Sequence, residues 1–170
     1  MTARHTLIDS PLGELTLVAD GDALMGVYFR HHWHPPTAEA LGEHVEPDAD
    51  ELFRRAAEQL HAYLAGERTQ FDLPIALVGD PRQRRVWELL AGIDYGQTRT
   101  YGDLAAELGD GTTAYEVGQA VGRNPLSIVV PCHRVVGKDG ALTGYAGGLS
   151  RKRFLLGLEE PAPTAAGRLF

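Results

Sequence analysis

The sequence is short of cysteine, with one in 170 residues, Cys132. A lone cysteine excludes an internal disulfide framework and a zinc site built from several thiolates. Long apolar runs are missing too. No stretch approaches the roughly 20 residues of a membrane span. Met1 to Asp9 lacks the apolar core and small-residue cleavage site of a secretory signal. The expected address is the cytoplasm, with no membrane contact. Lysine is absent from residues 1–80, which carry 5 Arg against 14 Asp plus Glu, a net charge of −9. Residues 81–170 carry 11 Lys plus Arg against 9 Asp plus Glu, a net of +2. The acidic total of −7 argues at first against a nucleic-acid partner, since phosphate binding is dominated by Lys and Arg. The asymmetry implies two parts with different tasks. What is present is 44% apolar content, enough to bury a core in one compact domain or two small ones.

The first part opens with strand patterns. His5–Ile8 and Glu14–Ala19 flank the turn Ser10-Pro11-Leu12-Gly13, and Ala23–Phe29 follows Asp20-Gly21-Asp22. Three short strands with tight turns predict an antiparallel meander. His31 to Asp50, rich in His, Pro and acid, reads as a loop. Leu52, Phe53, Ala56, Leu60, Tyr63 and Leu64 recur at helical spacing, with Gly66 placed to end the helix. Glu67–Val78 is mixed and is expected to hold one more strand and a connector. The boundary falls near Gly79-Asp80.

The second part is mostly helical. Asp80 suits an N-cap and Pro81 the first helical position, with Val86, Leu89, Leu90 and Ile93 as the buried stripe. Thr100 caps Tyr101–Leu108. After Gly109-Asp110-Gly111, Thr112 or Thr113 caps a helix to about Val121, with Ala114, Val117 and Val121 on one face. The pair is a helix-turn-helix candidate. Leu126–Val130 is apolar and should be deeply buried. Ser150 caps a last helix, with Phe154, Leu155 and Leu158 inward. Residues 161–170 read as a flexible tail.

Cys132 follows the apolar run, between Pro131 and His133. One reading is a small buried hydrophobe. The other is a nucleophile, which needs a base or positive field, and His133 and Arg134 supply both kinds of group. Adjacent residues on an extended chain point to opposite sides, so adjacency does not guarantee a direct thiol–imidazole contact, and a linking water is the alternative. Spacing alone leaves both readings open.

Pro131-Cys132-His133-Arg134-Val135 resembles the active-site motif of the O6-alkylguanine-DNA alkyltransferases, the methylated-DNA–protein-cysteine methyltransferases. Tyr95 to Leu104, Val117-Gly118, Asn124-Pro125, Gly144-Tyr145-Ala146-Gly147-Gly148 and Leu155-Leu156…Glu159 follow in family order over residues 80–160. Asp9 to Gly13 and Phe53 to Gly66 extend the resemblance through 1–79. It implies an α+β fold: an N-terminal α/β domain over 1–79, with a three-stranded antiparallel sheet and a helix, ribonuclease H-like. A mostly helical, winged-helix-like domain over 80–160 then binds DNA and accepts the alkyl group.

The resemblance also implies site roles. Cys132 accepts the alkyl group from O6 of guanine. His133, hydrogen-bonded to Glu159, takes the thiol proton through a water. Tyr101 donates a proton to the departing guanine, and Asn124 ties the recognition helix to the cysteine loop. The backbones of Cys132 and Val135 accept from the guanine amine, those of Tyr145 and Ala146 lie at the O6 side, and Tyr145 is an aromatic wall. Pro131, Arg134 and Gly147 complete the pocket, with Ala146 and Gly147 leaving room beside it. The expected partner is duplex DNA carrying O6-alkylguanine, bound by a monomer, with no cofactor and no metal. The DNA-binding set is Thr113, Ala114, Tyr115, Gly118, Gln119, Gly122 and Arg123. With no second cysteine to resolve a thioether, each molecule acts once.

One position departs from the family. Its recognition helix carries an Arg where this chain has Tyr115, followed by Glu116. Tyrosine can still act as a wedge between bases, but without positive charge. Weakened duplex binding follows, as in a natural variant or a self-labelling protein. Arg82, Arg84, Arg85, Arg99, Arg123, Arg151, Lys152 and Arg153 remain as phosphate contacts. His31, His32, Trp33 and His34 read as a solvated loop rather than a metal site. A helix-turn-helix regulator and a cysteine hydrolase are the rival functions. The first would tolerate loss of Cys132 and the second would turn over repeatedly.

Overall fold

The computed structural model describes residues 3–160, so the tail expected at 161–170 lies outside them. Strands β1 (Ala3–Ile8), β2 (Leu15–Asp20) and β3 (Ala23–Phe29) form the antiparallel meander. Leu15, Leu17, Leu24 and Val27 turn inward and are fully buried. The stretch expected to be a loop is more ordered. A short helix α1 (Ala38–Leu41) leads into β4 (Glu43–His44), which pairs parallel with β1, giving the order β3-β2-β1-β4. Both residues of β4 are exposed. It exists through backbone pairing to a free edge, which no apolar alternation announces.

Helix α2 (Glu51–Leu64) starts where Asp50 accepts from the Phe53 N–H, and Leu52, Phe53, Ala56, Leu60, Tyr63 and Leu64 are its buried face. The strand expected in Glu67–Val78 is reduced to a single bridge between Leu24 and Ile75.

The second half holds α3 (Pro81–Ala91), β5 (Arg99–Thr100), α4 (Tyr101–Leu108), α5 (Ala114–Gly122), β6 (Val135–Val136) and α6 (Leu149–Glu159). Helices α3, α4 and α5 each begin with a reciprocal capping box, Asp80 with Gln83, Thr100 with Asp103, Thr113 with Glu116. Gly109 ends α4 in the left-handed conformation, which opens the turn into α5. Two stripes differ from expectation. On α3 the buried side chains are Val86, Trp87 and Leu90, with Leu89 only partly covered. The Trp87 indole N–H donates to the Ala120 carbonyl at 2.8 Å, pinning α3 to α5. On α5 Ala120 joins Val117 and Val121 while Ala114 is exposed.

Helix α6 departs most. Gly148, at φ 94°, takes the N-cap in place of Ser150, Phe154 is exposed, and the buried residues are Lys152, Leu155 and Glu159. Two of those three are charged, so apolar periodicity could not find the inner face. The halves share one apolar cluster. They are stitched at β3, where the Val27 N–H donates to Pro125 O at 2.8 Å and the Ser127 N–H donates to Val27 O at 3.2 Å.

Candidate active site

The Leu126–Val130 run is folded tightly beneath Cys132. The Asn124 side-chain amide donates to Val130 O at 2.9 Å, and its oxygen accepts from the Leu126 N–H at 3.0 Å. One side chain therefore clamps both ends of the run. Between them Ile128 sits at φ 73°, a costly backbone region for a β-branched residue. Cys132–Arg134 then form a 3₁₀ turn, not the extended chain that the sequence suggested. That turn sends neighbouring side chains to different surroundings.

Cys132 is buried, with the Asn124 and Tyr145 side chains beside its sulfur and the Lys152 charge acting on it. Burial pushes the thiol pKa up, and these neighbours only partly offset it. The Tyr145 hydroxyl lies against Ser127 and Cys132. Lys152 is not a phosphate contact. It is fully buried, its ammonium donates to Val135 O at 2.6 Å and Gly144 O at 2.9 Å, and burial lowers its pKa to about 8.

His133 turns the other way, toward Glu159, whose Oε2 lies 2.8 Å from Nε2. Arg134 grips the same carboxylate, Nε to Oε1 at 2.7 Å and a terminal nitrogen to Oε2 at 2.8 Å. The Tyr63 hydroxyl, from α2, also donates to Oε2 and lies 3.4 Å from His133 Nε2. Burial raises the Glu159 pKa, but hydrogen bonds from His133, Arg134 and Tyr63 outweigh it and set it at about 2. An ionised carboxylate only accepts, which assigns the imidazole proton to Nε2 and makes Nδ1 a bare acceptor. Nδ1 is buried with no hydrogen-bond partner among the described residues. Burial lowers the His133 pKa despite Glu159, so the ring is neutral near pH 7.

A cavity of about 140 Å³ opens above Tyr145, between α4, α5 and the 143–146 loop. Tyr101, Gly118, Tyr145 and Ala146 line it, and the Thr143 hydroxyl donates to the Tyr101 hydroxyl at 3.2 Å. Pro131 and Arg134 do not share this cavity. They line another, of about 300 Å³, beside Phe71 and Tyr95 on the far side of the cysteine loop. Val135 O already accepts from Lys152, leaving one lone pair. The room expected at Gly147 is taken, because a Cβ there would come within 2.4 Å of the Phe29 ring.

Helix α5 presents Thr113, Ala114, Tyr115 and Gln119 outward, with Gly118 and Gly122 beside the cavity and Arg123 exposed at the end. Tyr115 is 75% exposed. Glu116 is not a free charge. It caps the helix with Thr113 and pairs with Arg82 at 2.9 Å. Arg85 pairs with Asp110 and Arg99 with Glu107. Arg151 serves three backbone carbonyls, Leu12, Arg30 and Gly147. Of the expected phosphate contacts, Arg84, Arg123 and Arg153 keep exposed side chains outside these pairs.

Comparison with known proteins decides the family. Residues 3–77 match the 6-O-methylguanine DNA methyltransferase ribonuclease-like domain, and residues 81–161 match the DNA binding domain of the same name. The chain belongs to the 6-O-methylguanine DNA methyltransferase family. It is 45% identical over 166 residues to the methylated-DNA–protein-cysteine methyltransferase of Mycobacterium tuberculosis, covering 98% of each chain. It is 44% identical to that of Methanosarcina acetivorans, covering 91% of this chain and 97% of the other. The crystal structure of Mycobacterium tuberculosis OGT in complex with DNA superimposes with a TM-score of 0.82 at 43% identity, over 94% of this chain and 96% of that one.

Within this methyltransferase, sequence reasoning missed Tyr63, Lys152 and Trp33. Tyr63 appeared only as core spacing and Lys152 only as surface charge. The His31–His34 stretch is not simply solvated. His32 is buried, and the Trp33 N–H donates to Ala146 O at 3.0 Å. No group of three or more His, Cys, Asp or Glu among the described residues is placed to hold a metal.

Proposed function

We propose that this protein repairs DNA by transferring an alkyl group from O6 of guanine to Cys132, once per molecule. The observation that carries the reading is the bare His133 Nδ1, buried beside Cys132 in sequence while Glu159 holds the opposite nitrogen. The thiol proton passes to Nδ1 through a water, and Glu159 stabilises the imidazolium. The sulfur forms a bond to the alkyl carbon as the carbon–O6 bond breaks. Tyr101 supplies a proton to the leaving guanine. Arg134 and Tyr63 keep Glu159 ionised, so the carboxylate orients the imidazole rather than taking its proton.

A guanine stacked in a duplex hides O6, so the nucleotide is flipped into the cavity beside Tyr101 and Tyr145. Helix α5 lies in the minor groove with Thr113, Ala114, Tyr115, Gly118, Gln119, Gly122 and Arg123 toward it. We place the division between the two parts near Gly79-Asp80, and treat the protein as a monomer. A single free cysteine suits a reducing compartment, the cytoplasm. A thioether is inert and no other cysteine is present, which makes the reaction stoichiometric.

Intact-mass spectrometry tests this directly. Incubation with O6-benzylguanine, or with a duplex carrying O6-methylguanine, should add one benzyl or methyl group, mapped to Cys132. No adduct from either substrate refutes alkyl transfer. Repeated turnover would favour a hydrolase instead. A second reading, alkyl transfer with weakened duplex binding, is favoured by Tyr115, which places a neutral side chain at the outer face of α5.

A further inference from the structure

Trp33 is 57% exposed, yet the loop that carries it is firmly held. Its N–H donates to Ala146 O at 3.0 Å. The preceding His32 is buried, stacks on Phe29 at 6.0 Å, and accepts from the Phe29 N–H through Nδ1 at 3.2 Å. Arg151 ties the same segment to the site, donating to Arg30 O and to Gly147 O at 3.0 Å each. Core packing therefore anchors the backbone around Trp33 and leaves the indole itself outside the core.

The indole projects across the pocket. It lines the cavity shared with Tyr101, Tyr145 and Ala146, and also the open groove beside Tyr115. One glycine gives it room. A Cβ at Gly144 would come within 3.0 Å of the ring, while one at Gly122 would sit at an ordinary contact distance of 3.8 Å, which places the ring's other edge beside α5. For transfer, the alkyl carbon must reach Cys132, which lies against Tyr145. The rest of a large substituent must then occupy the space near Ala146, under the indole.

The geometry assigns Trp33 as a specificity-determining residue, whose indole walls the pocket opposite Tyr145 and limits the size of the O6 substituent that reaches Cys132. The inference rests on the alkyl-transfer reading and adds a determinant from the N-terminal half. On this assignment a methyl group is small enough to pass the indole, whereas a benzyl group is large enough to meet it. Removing the ring opens the cavity to the outer groove, while the backbone bond to Ala146 survives any substitution.

The test compares wild type, Trp33→Ala and Trp33→Phe on one duplex carrying either O6-methylguanine or O6-benzylguanine. Single-turnover rates are followed by intact mass, and the benzyl-to-methyl ratio cancels changes in DNA binding. Trp33→Ala should raise that ratio by about tenfold, the scale on which apolar pockets discriminate by size. Trp33→Phe should fall between. A ratio unchanged within about twofold, or one that falls, overturns the inference while leaving alkyl transfer standing. Wild-type protein that takes up neither group overturns both together.

Discussion

Glu159 is the acceptor on which three donors converge, His133, Arg134 and Tyr63. Replacing it with Gln keeps the shape but ends stabilisation of the imidazolium. Glu159→Gln should slow alkyl transfer by roughly 10²-fold or more, the usual size of acid–base assistance. Stopped single-turnover assays with O6-benzylguanine check it. The same residue links stability to pH. Its pKa falls from 4.5 unfolded to about 2 folded, so the folded state binds the proton less readily. The stabilisation is fully present above pH 4.5 and is lost as pH falls toward 2. It amounts to roughly 3 kcal/mol. Denaturant melts of wild type and Glu159→Gln should converge across that window. Tyr63→Phe removes one donor from the carboxylate, so Glu159 pulls harder on His133 and raises its pKa. The acid limb of the transfer rate should move to higher pH, with little change on the alkaline side. A uniform loss at all pH values would reduce Tyr63 to a packing residue. Cys132 and His133 were legible because they adjoin. Glu159 came from resemblance alone, and Tyr63 came from nothing, since 70 residues separate it from His133 and its spacing matched an ordinary core position.

Helix α5 shows the same division among elements. Its cap and length were readable, because Thr113 and Glu116 stand at capping-box spacing. What Glu116 does with its charge was not readable. The carboxylate faces Arg82, 34 residues away in sequence, as well as its own helix start. The proposal of weakened duplex binding therefore rests on Tyr115 alone. Tyr115→Arg should tighten binding to undamaged duplex and steepen its salt dependence by about one counterion. Fluorescence titration at several salt concentrations measures both, and an unchanged slope would remove Tyr115 as the cause. Glu116→Ala is a poor probe, because it removes the N3 half of the capping box. It should cost about 1 kcal/mol of stability with no gain in duplex affinity. Strand β4 and the inner face of α6 were hidden for opposite reasons. One has no buried side chains, and the other buries charges.

Across the whole molecule the charge split does not mark two independent machines. The acidic half supplies Tyr63 to the relay and Trp33 to the pocket, and Arg151 of the basic half returns bonds to Leu12 and Arg30. The buried apolar side chains form one cluster through both halves. Arg151→Ala should lower stability by about 1–3 kcal/mol, since three carbonyls lose a charged donor. Urea midpoints give the value.

Burial of Cys132 has a consequence in time. A protein that acts once must keep its thiol intact until damage arrives. Oxidants and stray electrophiles react with thiolates that solvent can reach. Cys132 is 2% exposed and held toward its protonated form by burial. Both features shield it from such reagents, and on the proposed mechanism its reactivity comes from His133 drawing the proton away. The site is built for waiting as much as for reacting.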